Sequence, residues 1–72
     1  MSKFEYCAIK QDLEGEKKTK LKFLDAEGNH RFTEISDIHR NIAQLGMNGW
    51  EMVSFSEITD PSARVYYFKK KL

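Results

Sequence analysis

The spacing of the apolar residues changes midway through the chain, at Asn48-Gly49, and this change limits the folds available. Before it, apolar residues recur every three or four positions, as on one face of a helix: Ile35, Ile38, Ile42 and Leu45. After it, the sequence WEMVSF is rich in residues that favour strands. A β-hairpin at this point would need alternating strands on both sides. We therefore predict a helix over 35–48 that ends at a left-handed Gly49, followed by a strand over 50–58.

The ends of this helix carry recognisable signals. Ser36 or Thr33 can serve as the N-cap, and Asp37 is favourable in the first turn. Gly46 falls inside the last turn, where glycine costs about 1 kcal/mol relative to alanine. Such a glycine suggests that the backbone passes close to a bulky side chain, and Trp50 is the nearest candidate.

The remaining segments alternate between strand and turn signals. Aromatic and β-branched residues predict further strands over 4–9, 19–24, 30–32 and 64–72. Polar residues around Gly15 predict a loop over 10–18, and the sequences DAEGN and TDPS predict turns at 25–29 and around Pro61. The predicted fold is α+β: a small antiparallel sheet of four to five strands, in the order β-β-β-α-β-β, with one helix packed on one face.

The size of the chain bounds its organisation. Its 72 residues are predicted to form a single domain, 1–72. A domain this small buries only about 60% of its unfolded surface. Cys7 is the only cysteine, so no disulfide forms within the chain, and one cysteine with two histidines falls short of the four ligands of a structural zinc site. We therefore expect stability to come from self-association.

Charge and hydropathy exclude several classes of protein. The net charge of +1 gives no overall attraction to nucleic acid or anionic membranes. No apolar run approaches the roughly 18 residues that span a bilayer, and the sequence MSKFEYCAIKQ lacks the apolar core of a signal peptide. We expect a cytoplasmic protein that does not bind membranes.

A single helix cannot cover both faces of an apolar sheet. If the strands alternate regularly, Val53 and Phe55 face away from Trp50 and Met52, and the last strand is apolar on both faces. Exposed apolar faces usually mark interfaces, so we expect a homo-oligomer, most simply a symmetric dimer. The candidate interface residues on the uncovered face are Val53, Phe55, Tyr66 and Phe68. The alternative is that strand twist and loops cover this face.

No residues form a recognisable catalytic or cofactor site. A lone Cys7 in a strand is most often a small buried apolar residue, and surface histidines such as His30 and His39 are mostly inert. Gly46 and Gly49 lack the strand before them and the helix after them that a phosphate-binding loop needs. We expect a non-enzymatic protein without metal or cofactor.

The sequence YYFKKKL at the end of the chain offers a second hypothesis. Aromatic residues next to Lys69, Lys70 and Lys71 combine stacking groups with phosphate partners, as in proteins that bind single-stranded nucleic acid. Further lysines extend this patch: Lys17, Lys18, Lys20 and Lys22. The alternative is a core strand whose lysines keep its end soluble and prevent edge pairing. A small-ligand pocket between protomers is a third hypothesis, with no residue that identifies the ligand.

Three stretches together resemble a known family. An aromatic-rich opening strand (FEYCAIK), the run LGMNGWEMVSF and a closing YYFKKKL are similar to small bacterial and phage proteins grouped as domain of unknown function 4177. The resemblance covers most of the chain except 11–32. It implies a helix that passes directly into a strand around Gly49 and Trp50, with Gly46 and Met52 as further structural residues. It implies no catalytic residue, because the family has no established activity.

Overall fold

A computed structural model describes residues 3–24, 30–59 and 62–72. Its elements follow in the order β1 (Phe4–Asp12), β2 (Thr19–Leu24), β3 (His30–Ile35), α1 (Ile38–Met47), β4 (Glu51–Thr59) and β5 (Ser62–Lys71). This order and the α+β class confirm the prediction from the sequence. The predicted turns at 25–29 and at Pro61 fall largely or wholly outside the described residues.

β1 and β3 each extend three residues further than their sequences indicate, and β5 begins at Ser62, two residues before its predicted start. β1 continues to Asp12 through the first part of the predicted loop, because Lys10, Gln11 and Asp12 pair with β5. β3 continues to Ile35, because residues 33–35 complete the ladder with β2. In both cases pairing with a neighbouring strand outweighs the polar local sequence.

The five strands form one antiparallel sheet in the order β3-β2-β1-β5-β4. β1 is the central strand and pairs with β2 on one side and β5 on the other. β3 and β4 form the two edges. The predicted antiparallel pairing of the last two strands is confirmed.

The helix begins at Ile38, three residues after its predicted start at Ile35, because Ile35 belongs to β3. Asp37 is the N-cap, and its Oδ1 accepts a hydrogen bond from the Arg40 backbone N–H at 3.0 Å. The predicted caps, Ser36 and Thr33, are wrong because Thr33 belongs to β3 and Ser36 lies before the cap. A carboxylate at this position satisfies an N–H that has no partner within the helix.

The helix ends as the sequence predicts. Asn48 is the C-cap, and Gly49 adopts a φ of +90°. The Trp50 N–H donates to the Leu45 carbonyl at 2.9 Å, and the Gly49 N–H donates to the Gly46 carbonyl at 3.1 Å. These two bonds form a Schellman motif, in which the left-handed residue reverses the chain and directs it into β4.

Gly46 does not have the predicted role. A Cβ atom at this position would meet no atom within 4 Å outside the helix backbone. No bulky side chain therefore explains the glycine, and the prediction of a close approach to Trp50 is wrong.

The core lies between the helix and one face of the sheet. Leu45 packs with Cys7 and Ile9 from β1, Leu21 from β2 and Phe68 from β5. Partly buried apolar residues surround this cluster: Phe23, Ile35, Ile38, Ile42, Trp50 and Tyr66. The Phe23 and Trp50 rings are in tilted contact, with centroids 5.8 Å apart. The helix thus covers the middle of the sheet and stops short of β4.

Candidate interaction surfaces

The strand register assigns each side chain to one of the two sheet faces, because directly paired residues share a face. Cys7 pairs with both Phe23 and Phe68, and Ile9 pairs with Leu21 and Tyr66. All of these residues belong to the face that α1 covers. We call the opposite side of the sheet, away from the helix, the open face.

The open face carries apolar rings and aliphatic side chains on every strand. A row across the sheet runs from Phe32 through Lys22, Ala8 and Tyr67 to Ser54. The next row contains Leu24, Tyr6 and Lys69, and Phe4 pairs with Lys71 beyond it. The rings of Phe4, Tyr6, Phe32 and Tyr67 are between 36% and 60% exposed.

A groove of about 480 Å³ runs along the open face. Ala8 and Val65 form its floor and are both 8% exposed. The walls and rim combine apolar and basic side chains: Lys10, Lys20, Lys22, Leu24, Phe32, Ile58 and Tyr67. Because Ala8 is small and stands between Lys22 and Tyr67, the centre of the sheet is lower than its surroundings.

Positive charge is concentrated on the same face. Five lysines of the paired strands point there: Lys10, Lys20, Lys22, Lys69 and Lys71. Three carboxylates share the face: Asp12, Glu34 and Glu51. Two of these carboxylates already have partners, since Asp12 lies 3.8 Å from Lys10 and Glu34 lies 3.3 Å from Lys18. The open face is therefore more basic than a net charge of +1 for the whole chain implies.

Two of the lysines lie over aromatic rings. The Lys20 ammonium is 5.4 Å from the Phe32 ring centroid, and that of Lys69 is 5.0 Å from the Phe4 centroid. These distances are within the range of cation–π attraction. Both rings therefore present a π-face to a charged group at the surface.

The second exposed surface lies along β4, where the helix no longer covers the sheet. All nine residues of β4 are exposed. Met52, Val53 and Phe55 are apolar and 43–49% exposed. The Phe55 ring contacts the half-buried Tyr66 ring, with centroids 5.1 Å apart. We call Met52, Val53, Phe55 and Tyr66 the β4 patch.

A β-bulge in β4 changes which residues share a face. Met52 pairs with Phe68 and Ser54 pairs with Tyr67, so Val53 is the extra residue between them. After this insertion Phe55 pairs with Tyr66, on the same side as Met52. The predicted regular alternation, which placed Met52 and Phe55 on opposite faces, is therefore wrong.

The four predicted interface residues do not lie together on the uncovered face. Phe68 is 2% exposed and belongs to the core, and Tyr66 packs against the core edge on the helix side. For these two residues the predicted facing is wrong, because Cys7 and Ile9, their partners on β1, lie under the helix. Val53 and Phe55 are exposed, and Phe55 lies at the rim of the covered face, where it pairs with Tyr66.

The three consecutive lysines of β5 divide between the two faces. Lys69 and Lys71 lie on the open face, whereas Lys70 lies on the helix side, 5.9 Å from the Trp50 ring centroid. Lys18 belongs to the β1–β2 connection. Its hydrogen bond to Glu16, and to a smaller extent its hydrogen bond to Glu34, raise the pKa of its side chain. The lysines of the predicted nucleic-acid patch are therefore not one continuous surface.

The sequence-based reasoning did not identify the centre of the open face. Tyr6, Ala8, Phe32 and Tyr67 were not among the predicted interface residues. A signal was present in β2, where Lys20 and Lys22 alternate with Leu21 and Phe23 and so mark the solvent side. The register that connects this side to Tyr6 and Tyr67 requires the structure.

Cys7 has the environment of a structural residue. It is 1% exposed, and burial raises the pKa of its thiol to about 11, with a smaller contribution from the Glu5 carboxylate. Nucleophilic cysteines need the opposite shift, toward the thiolate. His39 is exposed on the helix, and within the described ranges no group of three His, Cys, Asp or Glu side chains is placed to hold a metal ion.

Comparison with known proteins places the chain in no group. No protein-family model, no curated protein and no solved structure matches it. The resemblance to domain of unknown function 4177 therefore stays a prediction. In the part of the chain that the structure describes, no helix is long and apolar enough to cross a bilayer.

Proposed function

We propose that this chain is a non-enzymatic interaction module that assembles with a second copy of itself through the β4 patch. The observation that carries the proposal is the exposure of every residue of β4 next to an apolar cluster. Exposed apolar patches on small domains usually mark binding surfaces. The outer edge of β4 also has backbone N–H and C=O groups without a strand partner in this sheet.

Charge favours the β4 patch over the open face as the contact between two copies. Two open faces placed together would bring lysines against lysines, since Lys20, Lys22 and Lys69 all lie there. Like charges across an interface oppose association. The nearest charges to Phe55 on the helix side of β4 are Glu57 and Arg64, which pair with each other at 3.7 Å.

A two-fold axis at the β4 patch makes it self-complementary. The same residues then meet on both protomers, and Phe55 of one copy packs near Phe55 of the other. A stable interface buries about 800 Å² on each partner, which is more than these four side chains supply. We therefore expect the free edge of β4 to contribute backbone contacts as well.

The experiment is a mass measurement by size-exclusion chromatography with light scattering. The wild type is expected at twice the chain mass of 8.5 kDa, and Phe55→Glu is expected at the chain mass itself, because a carboxylate cannot be buried without a partner. The matched control is Phe32→Glu, the same change on the opposite edge strand, which should leave the dimer intact.

Two results contradict the proposal. A wild type that is monomeric across the concentration range would remove self-association. A dimer that survives Phe55→Glu but dissociates with Phe32→Glu would move the interface to the open face. Far-UV circular dichroism of each variant establishes that the sheet is retained.

A further inference from the structure

We propose that the open face binds single-stranded nucleic acid across the groove between Phe32 and Tyr67. This inference uses a different surface from the β4 patch and does not depend on self-association. It also differs from the hypothesis based on the sequence, in which the three consecutive lysines at the end of β5 carry the binding. The structure instead assigns the phosphate contacts to β1 and β2.

The charges of the groove select an anionic ligand. Lys10, Lys20 and Lys22 line one side, and Lys22 pairs with Phe32 and with Ala8 on the groove floor. Two carboxylates lie next to these lysines: Asp12 is 3.8 Å from Lys10, and Glu34, which pairs with Lys20 across the β2–β3 ladder, is engaged by Lys18 at 3.3 Å. A polyanion that follows β2 therefore meets a row of ammonium groups.

The rings of the open face select a ligand with flat apolar groups. Phe4, Tyr6, Phe32 and Tyr67 are partly exposed, and the cations over Phe4 and Phe32 show that those rings present their π-faces. Nucleobases stack on such rings, and each stacked base contributes about 1–3 kcal/mol of binding. An acidic peptide would use the lysines but would place no flat group against the exposed rings.

The spacing of the rings fits an extended strand rather than a single nucleotide. Phe32 on β3 and Tyr67 on β5 lie in the same row across the sheet. With β2 and β1 between them, they are three strand spacings apart, or about 14 Å. Tyr6 and Tyr67 stand diagonally on neighbouring strands, about 7–8 Å apart. A duplex hides the faces of its bases and cannot stack on these rings.

The low centre of the sheet supplies room for a base. Ala8 is the smallest side chain of its row, and Lys22 and Tyr67 stand on either side of it. A base above Ala8 would contact the Tyr67 ring and bring its phosphate toward Lys22. A larger side chain at position 8 would fill this space.

The test is fluorescence anisotropy with a labelled oligothymidylate of about 12 nucleotides, within the range of about 4–16 nucleotides that one OB fold covers. The wild type is expected to bind at low ionic strength and to weaken as salt rises, by about 0.7 in log K per phosphate contact for each tenfold increase in salt. Lys20→Glu with Lys22→Glu should weaken binding at least about tenfold and lower this salt dependence by about 1.4, since two contacts are lost.

Matched variants separate charge from stacking. Arg40→Glu reverses one charge at an exposed helix position, half of the charge change in the double lysine variant, and should leave the affinity within about twofold. Tyr67→Leu keeps an apolar residue but removes the ring, so it should weaken binding about fivefold or more without changing the salt dependence. Phe55→Glu leaves the open face intact and should bind as the wild type does, so this proposal and the proposed dimer can fail separately.

Four outcomes overturn the proposal. The first is the absence of binding at low salt, and the second is unchanged affinity in the double lysine variant. The third is a duplex of equal length that competes as well as the single strand, which would reduce the interaction to charge alone. The fourth is poly-glutamate that competes equally per charge while Tyr67→Leu has no effect, which would identify an acidic protein as the partner.

Discussion

β5 and β4 are neighbours that pair along most of their length, yet they have opposite surroundings. β5 lies between β1 and β4 and buries Phe68 on the helix side and Ala63 and Val65 on the open face. β4 has a neighbour on one side, and each of its residues is exposed. Both strands are rich in apolar residues. Their positions in the sheet, and not their compositions, therefore decide that β5 contributes to the core and that β4 is exposed and available for binding a partner.

The largest expected effect compares the two strands directly. Phe68→Ala should lower the free energy of unfolding by about 3–5 kcal/mol, because it removes a ring that is 2% exposed beside Cys7. In the monomer, Phe55→Ala should cost only about 1 kcal/mol, mainly the contact with Tyr66. Urea denaturation at a matched protein concentration, low enough to keep the chain monomeric, gives both values.

If Phe68→Ala and Phe55→Ala lower the free energy of unfolding by similar amounts, the contrast between β5 and β4 is wrong and β4 is buried. If Phe68→Ala does not fold, Phe68→Leu supplies the measurement. It retains an apolar side chain and should cost about 1–2 kcal/mol.

The second prediction concerns the seam between β1 and β5, where Cys7 faces Phe68. Burial raises the pKa of the Cys7 thiol from 9.0 to about 11. Above pH 9 the unfolded chain releases this proton while the folded chain retains it, so the folded state is the one that binds more protons. Stability should therefore fall between pH 9 and 11, by at most about 1.4 kcal/mol per pH unit.

Cys7→Ala supplies the control for this pH dependence. Lysines and tyrosines titrate in the same range in both proteins, so the informative quantity is the difference between the two slopes. The wild type should lose stability more steeply than the alanine variant from pH 9 to 11. Parallel curves would mean that the thiol is accessible to solvent and that the seam opens easily.

The smallest effects concern the corner that directs the chain from the helix into β4. Gly49→Ala should lower the free energy of unfolding by about 1 kcal/mol, because φ is +90° and a side chain there disfavours the left-handed region. Gly46→Ala should raise it by about 0.5–1 kcal/mol, because the position is helical and a Cβ meets no atom within 4 Å. Thermal unfolding should therefore show changes in stability of opposite sign, a loss for Gly49→Ala and a gain for Gly46→Ala. This difference would show that the fold requires glycine at position 49 but not at position 46.

The sequence predicts the order of the elements and the end of the helix well. Helical spacing, the Schellman glycine and the strand-forming runs are local signals, and they place the elements in the correct order, although Ile35, the first residue of the predicted helical stripe, lies in β3. The extra length of β1 and β3 was not predictable, because it comes from pairing with strands that are distant in sequence.

The candidate surfaces were less predictable than the fold, for two physical reasons. The bulge at Val53 shifts the alternation of side chains in β4 by one residue, so that Phe55 faces the same side as Met52. No local feature of the sequence WEMVSF predicts this bulge. The face of Tyr66 and Phe68 depends on their register against Cys7 and Ile9, which the last strand does not encode by itself. A one-residue error in register reverses every side chain, so the predicted interface placed Phe68 outside when it lies in the core.

The position of β1 in the middle of the sheet has a consequence for synthesis. β1 leaves the ribosome before every other strand of this sheet, yet one of its two partners, β5, is made after all the rest. The hairpin of β1 and β2 can form early. Ile9 and Cys7 cannot pair with Tyr66 and Phe68, and the hydrophobic core cannot be completed, until β5 has been synthesised. The nascent chain therefore carries an incomplete sheet until translation has passed β5, and its final folding step joins the two most distant strands.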